Sequence, residues 1–373
     1  MKASLAGKDW QALAVTEPGH WVGLGAEWDE LYRRCATATP FQTHAWLTSW
    51  WQHYGRGHEL LVILVRRDGR LLAGLPLLRG RRFGCRVLSP IGGALSDFTD
   101  ILLDDDQREE AGQAAIRALL DQPDWDVMDF PETRPGSAVG YLGGLWPRQS
   151  RFLPASTCLA MAALPIEEQL ARIGGRSAGK LRRSLRKVDE LGVEITDVPP
   201  ERVESAVDGL LRLHAQQWTG RGINKEHLRP RFRNHLAQAA CLMVAGGQAS
   251  VTEFRADGRL VAANLCLVGR DFCGGYLYGA DPALRSRIDT FALVLRHSLR
   301  EAHERGLPTL SMLRGSEPHK ARWGAHPVAS HRLVLGRNQR ALFYTALVEG
   351  RASAAAVAKD HWPGLARILR PGS

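Results

Sequence analysis

The sequence predicts an α/β protein built on a mixed sheet, and three observations carry that prediction. Residues 251–324 place two short apolar strands, a third strand, a turn-rich loop, a helix and a last strand in unbroken succession. Strand and helix patterns alternate again over 60–130, as in layered α/β folds. The segments RRDGRLLAGLPL at 66–77 and RADGRLVAANLC at 255–266 share six of twelve residues, with the Asp-Gly turn in register. Their offset of 189 residues points to two copies of one fold rather than a solenoid, whose periods run roughly 20–50 residues. A length of 373 residues, at about 150 per domain, agrees with two.

Apolar residues make up 45% and charged residues 24% of the chain, which excludes a disordered or fibrous protein. The longest apolar runs, such as 60–65 and 71–78, fall far short of the roughly 20 residues that cross a bilayer. Lys8 and Asp9 interrupt the N-terminus before a signal-peptide core can develop, so a cytoplasmic protein is expected. Cys35, Cys85, Cys158, Cys241, Cys266 and Cys273 are scattered without a C-x-x-C pair; buried free thiols are expected, with no metal. The net charge of +10 favours anionic partners: nucleotide phosphates, nucleic acid, a membrane surface or an acidic polysaccharide.

In chain order, 26–36 reads as an amphipathic helix and 43–54 as a second, capped by Thr43 and carrying Trp46, Trp50 and Trp51 as core aromatics. A hairpin follows, with strands at 60–65 and 71–78 about the Asp68-Gly69 turn, because glycine takes positive φ cheaply. Strands at 86–88, 99–103 and 125–130 surround a helix at 107–120. The stretch 131–154, rich in proline and glycine, suits a boundary between copies.

After a strand at 156–163, Gly175 to Gly179 spell G-x-S-x-G and Gly174 to Lys180 have P-loop spacing. Both motifs need a preceding strand, whereas 166–173 looks helical, and Leu181 stands where a Mg²⁺-binding hydroxyl belongs. A helix capped by Ser177 is the better reading. Its Lys180, Arg182, Arg183, Arg186 and Lys187 make either a solvated face or a phosphate or nucleic-acid patch. A strand at 193–198 and helices at 201–218 and 225–240 lead to the second hairpin, strands 251–256 and 260–268, and a third strand at 272–279.

Residues 280–289 are turn chemistry ahead of a helix at 290–305, capped by Asp289 or Thr290. Backbone N–H groups at a helix start lack internal partners and can receive an anion, and Arg285 and Arg287 add charge-assisted donors suited to a pyrophosphate. The other reading is a solvated basic loop. Beyond the strand at 310–313, residues 314–324 are rich in groups that hold or transfer protons; a strand at 328–335 closes the sheet, and an alanine-rich helical stretch follows from 338.

The marks AGKLRRSLRKVDELG (178–192), LLRLHAQQWTGRG (210–222), YLYGADPALRS (276–286) and LRGSEPHKARWG (313–324), in this order, resemble the CelD-like branch of the GNAT acyltransferase superfamily. Its relatives include the FemAB aminoacyltransferases, which have two tandem GNAT-like halves. The resemblance implies halves at 1–155 and 156–337, the second with the acyl-CoA site, and a C-terminal helical extension at 338–373. It implies acyl transfer from a coenzyme A thioester to an amine or hydroxyl, in a family often tied to exopolysaccharide or cellulose production. Two central strands would splay apart, with the pantetheine arm on the exposed edge.

On that likeness Arg285, Ser286, Arg287, Ile288 and Tyr278 would hold the cofactor; Lys320 would stabilise the oxyanion, and Glu317 or His319 would act as base. The chain departs from its relatives at Ser311, where they carry Asp, at His319, where they carry Tyr, and at Arg287-Ile288-Asp289, where Ser-Pro-Gly is common. A FemAB-like enzyme using charged tRNA and a non-catalytic GNAT binding module are the competing expectations.

Overall fold

The structure, a computed structural model, describes residues 2–4, 10–220, 222–315 and 317–361. Arg221 of the 210–222 motif, Ser316 of the 313–324 motif and the end of the 338–373 stretch therefore lie outside the described residues. The chain divides into two compact units, one of residues 1–51, 55–156 and 329–373 and one of residues 52–54 and 157–328. The stretch from 338 is thus counted with the first unit.

The first unit runs β1 (Lys2–Ser4), β2 (Trp10–Val15), α1 (Pro18–Val22), α2 (Gly25–Arg34), α3 (His44–Tyr54), β3 (Glu59–Arg67), β4 (Arg70–Arg82), β5 (Cys85–Pro90), β6 (Leu102–Leu103), α4 (Arg108–Leu120), β7 (Val127–Thr133) and α5 (Ala138–Leu145). Strand β8 (Ser150–Ala162) leads out of it. In the second unit follow α6 (Ile166–Ile173), α7 (Gly175–Asp189), β9 (Glu194–Asp197), α8 (Val203–Trp218), α9 (Pro230–Ala245), β10 (Ala249–Ala256), β11 (Arg259–Val268), β12 (Phe272–Ala280), α10 (Thr290–Glu304), β13 (Thr309–Arg314) and α11 (Pro318–Ala321). Strand β14 (His326–Gly336) returns to the first unit, and α12 (Arg340–His361) ends the description.

Sheet order in the first unit is β1-β2-β3-β4-β5-β7-β14, and in the second β8-β13-β12-β11-β10-β9. Each unit contains one parallel pair, β5 with β7 and β12 with β13. Both pairs are short: two registered residues, Val87↔Val127 and Leu88↔Met128, in the first, and three, from Phe272↔Thr309 to Gly274↔Ser311, in the second. The hairpins repeat as well. Asp68 and Gly69 sit at φ 52° and 78°, Asp257 and Gly258 at 50° and 73°, so each loop has the double positive φ of a type I′ turn. Each hairpin also shifts register just before that turn, at Val65/Arg66 and at Phe254/Arg255. The protein is α/β, built of two units that repeat the same hairpin and the same short parallel pair.

Strands β3 and β4 are buried on both faces, as their unbroken apolar runs require. Thr43 caps α3 by accepting from Trp46 N, and Trp46 and Trp50 are buried in the core. In the second unit α7 buries Ala178, Leu181, Leu185 and Val188, recurring at helical spacing. The last three join clusters under α10 with Leu295, Leu299, Trp323 and, at Val188, Ile288 and Leu284.

Four local expectations change. Helix α7 starts at Gly175 after Gly174, both at positive φ (55° and 65°), so Ser177 lies inside it and caps nothing. The 225–240 helix is broken by Pro230, which ends a 3₁₀ turn at 225–228 and opens α9 at N1. The strand expected at 99–103 shrinks to Leu102–Leu103. The stretch 131–154 holds helix α5, hidden by its three glycines.

Candidate functional site

The opening between β12 and β13 organises the second unit's chemistry. Beyond Gly274↔Ser311 the two strands no longer pair, leaving residues 275–280 of β12 without a strand on that side among the described residues. Ser311 helps the parting: its hydroxyl accepts from Leu313 N at 3.1 Å, and Leu313 adopts φ 53°. Two main-chain groups of the open stretch have side-chain partners from α8. His214 Nδ1 donates to the Tyr278 carbonyl at 2.9 Å, and Gln217 Oε1 accepts from Ala280 N at 3.0 Å. With Nδ1 as donor, neutral His214 must accept at Nε2, which fits His227 Nδ1 at 3.2 Å. Burial holds the His214 pKa below the usual imidazole value, against the pull of the Tyr278 carbonyl.

Residues 281–289 join β12 to α10. Asp281 accepts from Ala283 N, Ser286 Oγ donates to the Ala283 carbonyl, and the buried Leu284 and Ile288 pin the loop, leaving Arg285, Ser286 and Arg287 exposed. Against this loop stands one face of α7: Lys180, Arg183 and Lys187, at i, i+3 and i+7. Together they enclose a groove of about 450 Å³. Among the described residues none of these five cations has an ion-pair partner, and the one carboxylate of the lining, Asp289, is engaged by Arg322 and the start of α10, so the groove carries an excess of positive charge.

One expectation about this groove is corrected. Two of the first N–H groups of α10 are not open to an anion, because the Asp289 carboxylate accepts from Phe291 N (3.1 Å) and Ala292 N (3.3 Å) and also pairs with Arg322. Side-chain cations, not the helix end, supply the positive field. Ile288 lines the groove only through its position in the loop; its side chain is buried in the core. Tyr278 lies outside the groove, half-buried against Phe291 with ring centroids 6.3 Å apart.

Phe291 links Tyr278 to the polar segment after β13, meeting His319 edge-to-face at 4.6 Å. A line of three rings thus runs from the open strand to the turn of α11. Gly315, at φ 114°, allows that turn; a Cβ there would stand 2.5 Å from the Glu317 carboxylate. Lys320 Nζ lies 2.9 Å from Glu317 Oε2 and donates to the carbonyls of Met312 (3.2 Å) and Arg314 (3.0 Å). All three ammonium protons therefore have acceptors at the end of β13. Glu317, though burial raises it, has its pKa lowered overall by that ammonium. Burial, opposed by the Glu317 charge, lowers His319, leaving a neutral imidazole at pH 7.

An open parallel pair, a helix crossing from its first strand to its second and a cationic loop ahead of that helix are the elements of one known domain. Residues 175–321 match the acetyltransferase (GNAT) domain family. Among solved structures the chain is similar in fold to FemX, with a TM-score of 0.62 at 11% identity over 88% of this chain and 98% of that one. It is similar to a conserved protein of unknown function from Bacteroides thetaiotaomicron (TM-score 0.54, 13% identity, 84% and 97% covered) and to L-PGS from Bacillus licheniformis (0.53, 11%, 90% and 95%). These likenesses span both units and show the fold. Comparison with the curated proteins gives no match. The GNAT match supports an acyltransferase role, and domains of this kind generally take an acyl-CoA.

No helix among the described residues is long and apolar enough to cross a membrane. Cys266, Cys273 and Glu301 bring possible ligand atoms within 4.8 Å of one another. Cys266 Sγ accepts a hydrogen bond from Asn264 Nδ2 and lies 3.3 Å from Ser298 Oγ, and the Cys266 contact and burial raise Cys273 well above the usual thiol value.

The sequence reading named the α7 cations and the 285–287 loop separately and did not join them. His214 and Gln217 lie inside the 210–222 mark and share one helix face, but nothing in the sequence points either of them, or Phe291, at the open strand.

Proposed function

We propose that the second unit transfers an acyl group from an acyl-CoA to an amine or hydroxyl acceptor. The groove of unpaired cations between α7 and residues 285–289 carries this reading, because it stands where the strand edge turns into α10 and fits a pyrophosphate. The arm of the cosubstrate follows the open edge of β12, where His214 and Gln217 hold places that an added strand would take. His319, neutral and close to the parting of the strands, takes the proton from the acceptor as its nitrogen or oxygen attacks the thioester carbonyl. The C–S bond then breaks and the coenzyme leaves as a thiol. Lys320 acts by position, holding Glu317 and the end of β13, since its protons are engaged.

A second reading, aminoacyl transfer from a charged tRNA, is favoured by the run of exposed cations along α7, in which Arg176 and Arg186 accompany the groove residues. One thermal-shift series separates the two. At about 100 times its Kd a ligand adds about 2.7 kcal/mol to stability, so acetyl-CoA raises Tm and Arg285→Gln with Arg287→Gln abolishes the rise. No rise with any acyl-CoA, combined with steeply salt-dependent RNA binding that Lys180→Gln and Arg183→Gln weaken, selects the second reading instead.

A further inference from the structure

The first unit holds a recess of about 480 Å³ that the transfer reaction described above does not use. It lies where β7 turns into α5, with Arg108 of α4, Arg134 and Tyr141 on its walls and Phe152 and His331 at its side. Arg108 stacks on the Tyr141 ring at 5.0 Å, yet its Nε and Nη2 are buried with no hydrogen-bond partner. Arg108 has no ion-pair partner among the described residues, so a carboxylate or phosphate in the recess would meet an uncompensated guanidinium charge on its wall. The end of α5 cannot serve as the receiver. Ser137 Oγ accepts from Gly140 N (3.1 Å), and the buried Asp100 carboxylate accepts from Ala138 N (3.0 Å) and Val139 N (2.7 Å). Any anion here is held by side chains.

The recess also offers an apolar platform. Phe152 is 51% exposed, unusual for a phenylalanine, and stands edge-on to His331 at 6.4 Å. Tyr141 has one face covered by Arg108, so Phe152 is the open aromatic surface, with an imidazole beside it. An aromatic face with polar neighbours suits a ring whose C–H face is apolar and whose rim carries hydroxyls.

We propose that this recess binds an anionic saccharide, a hexose ring bearing a phosphate or a carboxylate, with the anion on Arg108 and Arg134 and the ring on Phe152. The recess lies in the first unit and its binding is argued from its own residues, so the inference goes beyond the transfer reading and does not rest on it.

Calorimetric titration of the full chain with glucose 6-phosphate, glucuronate, glucose and benzoate tests it. At least one of the two sugar anions binds, glucose binds about tenfold more weakly or not at all, and Phe152→Ala and Arg108→Gln each weaken the anion about tenfold, or about 1.4 kcal/mol. Which anion binds tells a phosphate source from a uronate source. The idea is overturned if neither anion binds at about 10 mM, a concentration that detects even weak complexes. It is also overturned if Phe152→Ala leaves affinity unchanged, if benzoate binds as well as the sugars, or if Arg285→Gln with Arg287→Gln removes the binding. Phe152 is at the surface, so its variant decides the matter should Arg108→Gln fail to fold. Lost anion binding beside an intact acetyl-CoA shift rejects this inference alone; the converse rejects the acyltransferase reading alone.

Discussion

His319, Glu317 and Lys320 stand within four residues of one another, yet their surroundings give them separate work. The Lys320 ammonium is spent on Glu317 and two carbonyls, and that same ammonium makes Glu317 a poor base. His319 alone is left both neutral and near the open strand. Burial favours its uncharged form, so the active form persists as pH falls and is lost only below the ordinary imidazole pKa. We therefore expect transfer rates to be level near pH 7 and to fall on the acid side with an apparent pKa under about 6.5. His319→Asn lowers kcat by about 10²–10⁴-fold and erases that acid limb. A pH–rate profile with the limb intact in the variant assigns the proton to another group. The motif at 313–324 marks these three residues as candidates in the sequence. Their ranking was not visible, because it depends on which carbonyls Lys320 reaches once β13 ends at Arg314 and Gly315 turns the chain.

Among the elements, α8 and β12 meet most tightly at Gly279, where an added Cβ would lie 2.4 Å from His214 N and 2.5 Å from the Leu210 carbonyl. Helix backbone cannot yield as a side-chain tip can. Gly279→Ala should therefore cost about 1–3 kcal/mol of stability and pull His214 off the Tyr278 carbonyl. Gly275, on the same strand with nothing within 4 Å of its would-be Cβ, is the control: alanine there should be nearly neutral. Urea unfolding of both variants checks the pair, and equal losses would refute the close approach. Strand and helix periods were legible where the pattern is local and unbroken, as the hairpins at 60–78 and 251–268 illustrate, but not at α5, whose three glycines mask it. The pairing of the α7 cations with residues 285–287 was not legible, since two elements far apart in sequence create it. Nor was the closed start of α10: Asp289 was a candidate cap, but a cap and an anion site use the same N–H groups, and only coordinates show which has them.

For the molecule as a whole, the decisive fact is that the first unit is made of separated pieces of chain. Its sheet runs from β7 to β14, and β14 and α12 supply Val334, Ala341, Tyr344 and Val348 to a cluster with Cys85, Val87, Val127 and Leu153. Asp129, buried in that unit, is paired by Arg332 and by the Tyr344 hydroxyl. Deleting everything after residue 328 strips away Arg332, the Tyr344 hydroxyl and half the cluster, leaving Asp129 only the 4.0 Å contact with Arg82, and removing the close partner of a buried charge costs about 3–5 kcal/mol. Such a truncated chain should lose the first unit's cooperative unfolding while residues 157–328 keep their protection in hydrogen exchange; protection throughout would contradict it. The internal repeat at 66–77 and 255–266 announced two copies, but nothing in its local pattern could show that one copy is threaded into the other. Synthesis adds a consequence of order. As the ribosome delivers the chain, residues 157–328 can finish folding while the earlier-made sheet still waits for the strand that reaches β7, so the half begun first is completed last and stays exposed to chaperones for longer.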